Sequence, residues 1–120
     1  MSSGPFLSTH RDLGSGDLRG RTYGIPFQDV WTRGLHLVER GTAGCRLLES
    51  HDVEGVIRAE ASGWFGGEPD LVVIRISLDE DVQTRVDVDL RAGSRFPGVR
   101  LRLRWRLSRI LRALDQSLGV

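Results

Sequence analysis

The sequence predicts an α+β fold: a four-stranded antiparallel meander sheet with an N-terminal and a C-terminal helix packed on one face, in the order α-β-β-β-β-α. Three observations predict it. An apolar stripe at helical spacing runs through residues 26–40. Extended segments rich in Val and Ile, separated by short polar turns, fill residues 45–90. A second helical stripe closes the chain over about 99–118. A sheet with one apolar face needs a cover, and two amphipathic helices supply it.

The first stretch, residues 1–21, scatters Gly4, Gly14, Gly16 and Gly20 among Ser, Thr, Asp and Arg. Its sizeable apolar residues are Phe6, Leu7, Leu13 and Leu18. This composition predicts a flexible or partner-bound N-terminal arm, with Phe6 and Leu7 as its grip, ahead of a single domain over 22–120. Pro26 suits the first turn of a helix. Phe27, Val30, Trp31, Leu35 and Val38 then recur at helical spacing with Gly34 on the same stripe, and Gly41 ends the run. His36 falls opposite the stripe, toward solvent.

Cys45–Ser50 and Val53–Ala61 read as strands flanking a His51-Asp52 turn. Gly63-Trp64-Phe65-Gly66-Gly67 is a glycine-flanked aromatic loop. Leu71–Leu78 is a third strand, and Asp79-Glu80-Asp81 a polar turn. Over Val82–Leu90 the alternation sets Val82, Thr84, Val86, Val88 and Leu90 on one face and Gln83, Arg85, Asp87 and Asp89 on the other, the pattern of a half-buried strand. If Leu78 pairs with Val82, Arg75 lies opposite Arg85, a like-charge pair that Asp87, Asp89 or Glu60 must neutralise. Arg58, Arg75 and Arg85 then form either a structural charge ladder or an anion or partner site. The last segment is ambiguous at its start. Val99, Leu101, Leu103, Trp105 and Leu107 alternate with Arg100, Arg102, Arg104 and Arg106 as a strand would. Leu103, Leu107, Ile110, Leu111, Leu114 and Leu118 form a helical stripe over a longer span. One helix is preferred because Leu, Arg and Ala favour helix; strand-then-helix is the alternative.

Charge narrows the function. The chain has 120 residues, 16 acids and 17 basic residues, all of them Arg, for a net charge of +1. Residues 1–90 hold nine Arg against fifteen acids; residues 91–120 hold eight Arg against Asp115 alone. This split excludes a generally basic nucleic-acid binder, since the acidic body would repel phosphates. With no Lys there is no amine for Schiff-base chemistry and no phosphate-loop lysine. Cys45 cannot form an intramolecular disulfide and reads as a buried thiol beside Leu47 and Leu48. His10, His36 and His51 are scattered without metal-ligand spacing, and Gly14-Ser15-Gly16 follows no strand. The expectation is a non-enzyme with no catalytic, cofactor or metal site. No secretory signal is readable, and the longest aliphatic run is Leu71–Ile74, so a cytoplasmic chain is expected, peripheral on the inner membrane through a partner at most.

Asp70-Leu71-Val72-Val73-Ile74-Arg75-Ile76 resembles a strand opening Asp-hydrophobic-Val-hydrophobic-Arg. Val86 to Arg95 resembles a strand ending Asp-Val-Arg-Ser-x-Ser-Arg, and Arg109-Ile110 sits in the closing helix as an Arg-Ile pair does there. These segments resemble the domain of unknown function 1499 family, over about residues 24–116. Ala92 stands where that family has serine, and Phe96-Pro97-Gly98 with a longer gap replaces its Asp-hydrophobic-Gly-x-Asn segment. The resemblance implies a small bacterial or plastid domain and brings no reaction with it.

The outer side of the closing helix is the leading candidate site. Leu101, Arg102, Trp105, Arg106, Arg109 and Arg112 gather opposite the leucine stripe. Arg and Trp are enriched at interface hot spots, and a Leu–Trp pair among arginines also suits an anionic lipid surface. Trp64 and Phe65 of the aromatic loop, with Phe6 and Leu7 of the arm, join the candidate partner-binding set. Two functions follow as expectations. One is a non-catalytic accessory or scaffold subunit docking onto a larger protein complex, membrane-embedded or at a membrane surface, such as a photosynthetic or respiratory complex. The other is a small-ligand or lipid-binding domain with a cavity between sheet and helices, lined by Trp31 or Phe65.

Overall fold

A computed structural model describes residues 6–9, 19–62, 67–93 and 98–119. The elements are β1 (Phe6–Ser8), β2 (Arg21–Tyr23), α1 (Phe27–Glu39), β3 (Arg46–His51), β4 (Val56–Ala61), β5 (Asp70–Leu78), β6 (Thr84–Arg91) and α2 (Val99–Ser117). The fold is α+β with an antiparallel sheet, as expected, but among the described residues the sheet has 6 strands rather than four. One added strand, β1, lies within the segment read as an arm, and the other, β2, begins at that segment's last residue and runs into the domain. β1 pairs with Asp89–Arg91 and β2 with Thr84–Val86, so together they cover the outer edge of β6. Thr9 completes the attachment: its Oγ1 donates to Asp87 at 2.8 Å and accepts from the Val88 amide at 2.9 Å.

The meander β3–β6 fixes a dry inner face. Ile57, Val72, Ile74, Val86, Val88 and Leu90 point inward and are fully buried. Against them α1 sets Val30 and Val38, and α2 sets Leu103, Leu107, Ile110, Leu111 and Leu114. Each such side chain contributes roughly 1.5–3 kcal/mol of burial before entropy is subtracted. α1 ends where Gly41 takes φ +72° and its amide reaches the Val38 carbonyl, the left-handed cap that glycine supplies without strain.

Two strand starts move by two residues or more from expectation, each through a turn, and the other boundaries shift by a single residue at most. β4 starts at Val56 because Gly55, at φ +71°, lies so close to the Ile76 carbonyl that a Cβ there would collide with it. Between β5 and β6 the Asp79 carboxylate accepts from the amides of Asp81 and Gln83, and Val82 adopts φ 59° with its side chain in solvent. The loop takes Val82 out of the strand. Leu78 therefore pairs with Thr84 rather than Val82, and Arg75 faces Asp87 rather than Arg85. The expected like-charge pair is replaced by an opposite-charge pair.

Candidate functional site

α2 is continuous from Val99 to Ser117, so the strand-like alternation at its start has another cause. Asp70 opens β5 on the inner face and is fully buried. Its carboxylate accepts four hydrogen bonds. Arg102 donates twice in bidentate fashion, from Nε at 3.1 Å and Nη2 at 2.8 Å. Arg106 donates from Nε at 2.9 Å, and the Gly93 amide at 3.2 Å. Arg106 also donates from Nη2 to the Ser62 carbonyl. A buried charge persists only when paired and hydrogen-bonded, and these bonds meet that condition for Asp70.

This corrects the expectation for two of the six helix residues. Arg102 and Arg106 are not on an exposed face: Arg102 is 0% and Arg106 8% exposed. On the helical wheel they fall on the flank of the leucine stripe, within reach of Asp70, which draws them in. The far end of α2 is held in the same manner. Asp115 accepts from Tyr23 Oη at 2.8 Å and from Arg21 Nε at 3.2 Å. Burial, then the bond to Asp115, push the Tyr23 hydroxyl pKa well above its ordinary value, so this donor keeps its proton. Carboxylates from or to β-strands thus fix the rotation of α2 at both ends.

The rotation leaves Leu101 69% and Trp105 48% exposed, one turn apart. Arg109 lays its guanidinium 5.6 Å from the Trp105 ring centre and lies over Gly44, where a Cβ would come within 2.9 Å of its Nη1. Arg100, Arg104 and Arg112 are exposed as well. Among the described residues, Arg100, Arg104, Arg109 and Arg112 make no ion pair with a carboxylate. Below this edge sits Cys45, buried, with its thiol pKa pushed up to about 11 by burial, although Arg106 and Arg109 pull the other way. A thiol held neutral in this way is a poor nucleophile.

The structure therefore gathers Leu101, Trp105, Arg109 and Arg112 on one edge. It does not add the others to it. Phe6 projects from β1 onto the uncovered face of the sheet, under the Arg91 guanidinium; Leu7 is half-buried against the core margin. Trp64 and Phe65 lie outside the described residues. The residue that sequence reasoning missed is Asp70. A signal existed: it shares parity with Val72, Ile74 and Ile76 on the apolar face of the strand and so must face inward, where it requires a cationic partner.

Arg85 does not join Arg58 and Arg75, which border one hollow on the uncovered face of the sheet. Arg85 is bound to Asp87 at 2.7 and 3.1 Å, and that bond raises its pKa. Arg58 pairs with Glu49 and Arg75 with Asp89. Trp31, expected as a cavity lining, is 5% exposed and stacks on Phe27. An open groove of about 720 Å³ runs between the helices, lined by Asp29, Arg33, His36 and Gln116 among others. Among the described residues there is no group of three or more side chains able to hold a metal ion.

No family model matches the chain, and no curated protein matches it. Among solved structures, "Crystal structure of Ara h 8.0201" is similar at a TM-score of 0.43 and 11% identity, covering 97% of this chain and 99% of that one.

Proposed function

We propose that this chain is a non-catalytic accessory or scaffold subunit that docks onto a larger protein assembly through the exposed edge of α2. The occupant is an acidic protein surface carrying an apolar recess. One observation carries the reading: Leu101 and Trp105 stand exposed among four arginines that have no carboxylate partner among the described residues, on a helix whose rotation its own ion pairs hold. Fully desolvated aromatic and arginine anchors dominate interface energetics, and the arginines select an acidic counterpart. A cytoplasmic setting belongs to the same proposal. Among the described residues no helix is long and apolar enough to cross a membrane, so a membrane-bound assembly would be met from its surface. Kinship with the domain of unknown function 1499 family is likewise a proposal and adds no reaction.

The test is co-purification of the tagged chain with its assembly, at low and high salt. Trp105→Ala and Arg109→Gln should each release the partner while lowering stability by no more than about 1 kcal/mol, the loss of their mutual contact. Retention of both variants, or binding to anionic vesicles in place of any protein, overturns the proposal.

A further inference from the structure

The uncovered face of the sheet carries a hollow of about 260 Å³ that lies away from the α2 edge. The strand register builds it. Leu71 and Val73 of β5 form the floor, with Arg91 opposite Leu71, Asp89 opposite Val73 and Arg58 of β4 on the other side of Val73. Phe6 of β1 pairs with Arg91 and walls the end, its ring under that guanidinium at 5.8 Å. Arg75 flanks the floor two residues along β5. Val73 is only 8% exposed although no helix covers it; the aliphatic stems of its long neighbours keep it dry.

Three guanidinium groups thus rim an apolar floor, against one lining carboxylate, Asp89. The existing bonds use few of the available donors. Arg75 reaches Asp89 only from Nε, at 3.4 Å, and Arg58 reaches Glu49 from Nε at 3.0 Å. Both side chains are about half exposed, so their outer N–H groups can turn to a ligand at small cost, and a guanidinium fork suits a carboxylate.

We propose that this groove binds a small organic monocarboxylate with a flat apolar body. The body lies on Leu71 and Val73 against Phe6, and Arg58 and Arg75 receive the carboxylate. The volume is below the range of drug-sized pockets and fits one ring. Free phosphate would meet the charge but leave the floor wet; a neutral ring would meet the floor but leave the charge unanswered.

The experiment is an amide chemical-shift titration of the full chain at fixed ionic strength, with benzoate, benzyl alcohol and inorganic phosphate as separate probes. Benzoate should shift residues around Phe6, Arg58, Val73, Arg75 and Arg91, with a Kd on the order of 1 mM. Arg58→Gln and Arg75→Gln should each weaken benzoate about three- to ten-fold, the loss of one charge-assisted contact. Their exposure means that neither change disturbs the core, and an unchanged spectrum elsewhere verifies this. The proposal is overturned if phosphate or benzyl alcohol binds as tightly as benzoate, or if no shift appears with benzoate up to roughly 50 mM.

Discussion

Two pairs of residues, each four apart on the same helix, behave in opposite ways. Arg102 and Arg106 are buried; Leu101 and Trp105, each one position earlier, are exposed. Intrinsic hydrophobicity would reverse the assignment. What decides it is the environment that meets each position. A buried carboxylate awaits the arginines, whose bidentate and backbone bonds offset their desolvation. The stripe from Leu103 to Leu114 already fills the inner face, so Leu101 and Trp105 stay outside it. The rotation of a helix is in this sense a collective property. Once Asp70 and Asp115 set it, individual residues accept whichever environment results.

The strongest way to break this contrast is to remove the carboxylate. Asp70→Ala leaves two buried guanidinium groups without their counter-charge and should destabilise the fold by about 3–5 kcal/mol in urea unfolding. A loss under about 1 kcal/mol would mean that the ion pairs do not govern the helix. Replacing the whole cluster is the sharper version. Asp70→Leu with Arg102→Met and Arg106→Leu should recover most of that stability, because apolar packing substitutes well for a buried ion pair. The triple variant should unfold near the wild type although α2 keeps only the Asp115 anchor.

A smaller effect comes from Cys45, beneath the same arginines. Its thiol pKa rises from 9.0 to about 11, with burial outweighing Arg106 and Arg109. The folded state keeps the proton above pH 9 where the unfolded state releases it. That contribution is therefore fully present below about pH 9 and is lost as the pH rises through about 11. Urea unfolding across this window should show a decline that Cys45→Ala reduces. The smallest stability changes belong to the exposed pair: Leu101→Ser should alter unfolding by no more than about 0.5 kcal/mol, and Trp105→Ala, which also forfeits the Arg109 contact, by about 1 kcal/mol. The contrast between large effects at Asp70 and negligible ones at Leu101 is the contrast between the two faces.

Much of this was legible in sequence. The α1 stripe and its Gly41 stop, the alternation over Thr84–Leu90 and the stripe of α2 all exceed the length at which a period becomes distinct. β1 and β2 were not, because three residues carry no period and both depend on the exposed edge of β6. The β5–β6 register turned on Val82, an apolar residue that continues the alternation yet is expelled by the Asp79 turn. At the site, Leu101, Trp105, Arg109 and Arg112 followed from helical spacing, whereas Arg102 and Arg106 did not. Spacing ranks residues by angle, and the flank of a stripe goes in or out according to what faces it from a distant part of the chain.

The docking edge can be tested most directly by site-specific photo-crosslinking in cells. A crosslinker at Leu101 should give a discrete adduct with a larger protein, abolished by Arg109→Gln and Arg112→Gln. The same group at His36, on the exposed side of α1, should give none. Adducts from both positions alike, or from neither, would contradict docking through this edge.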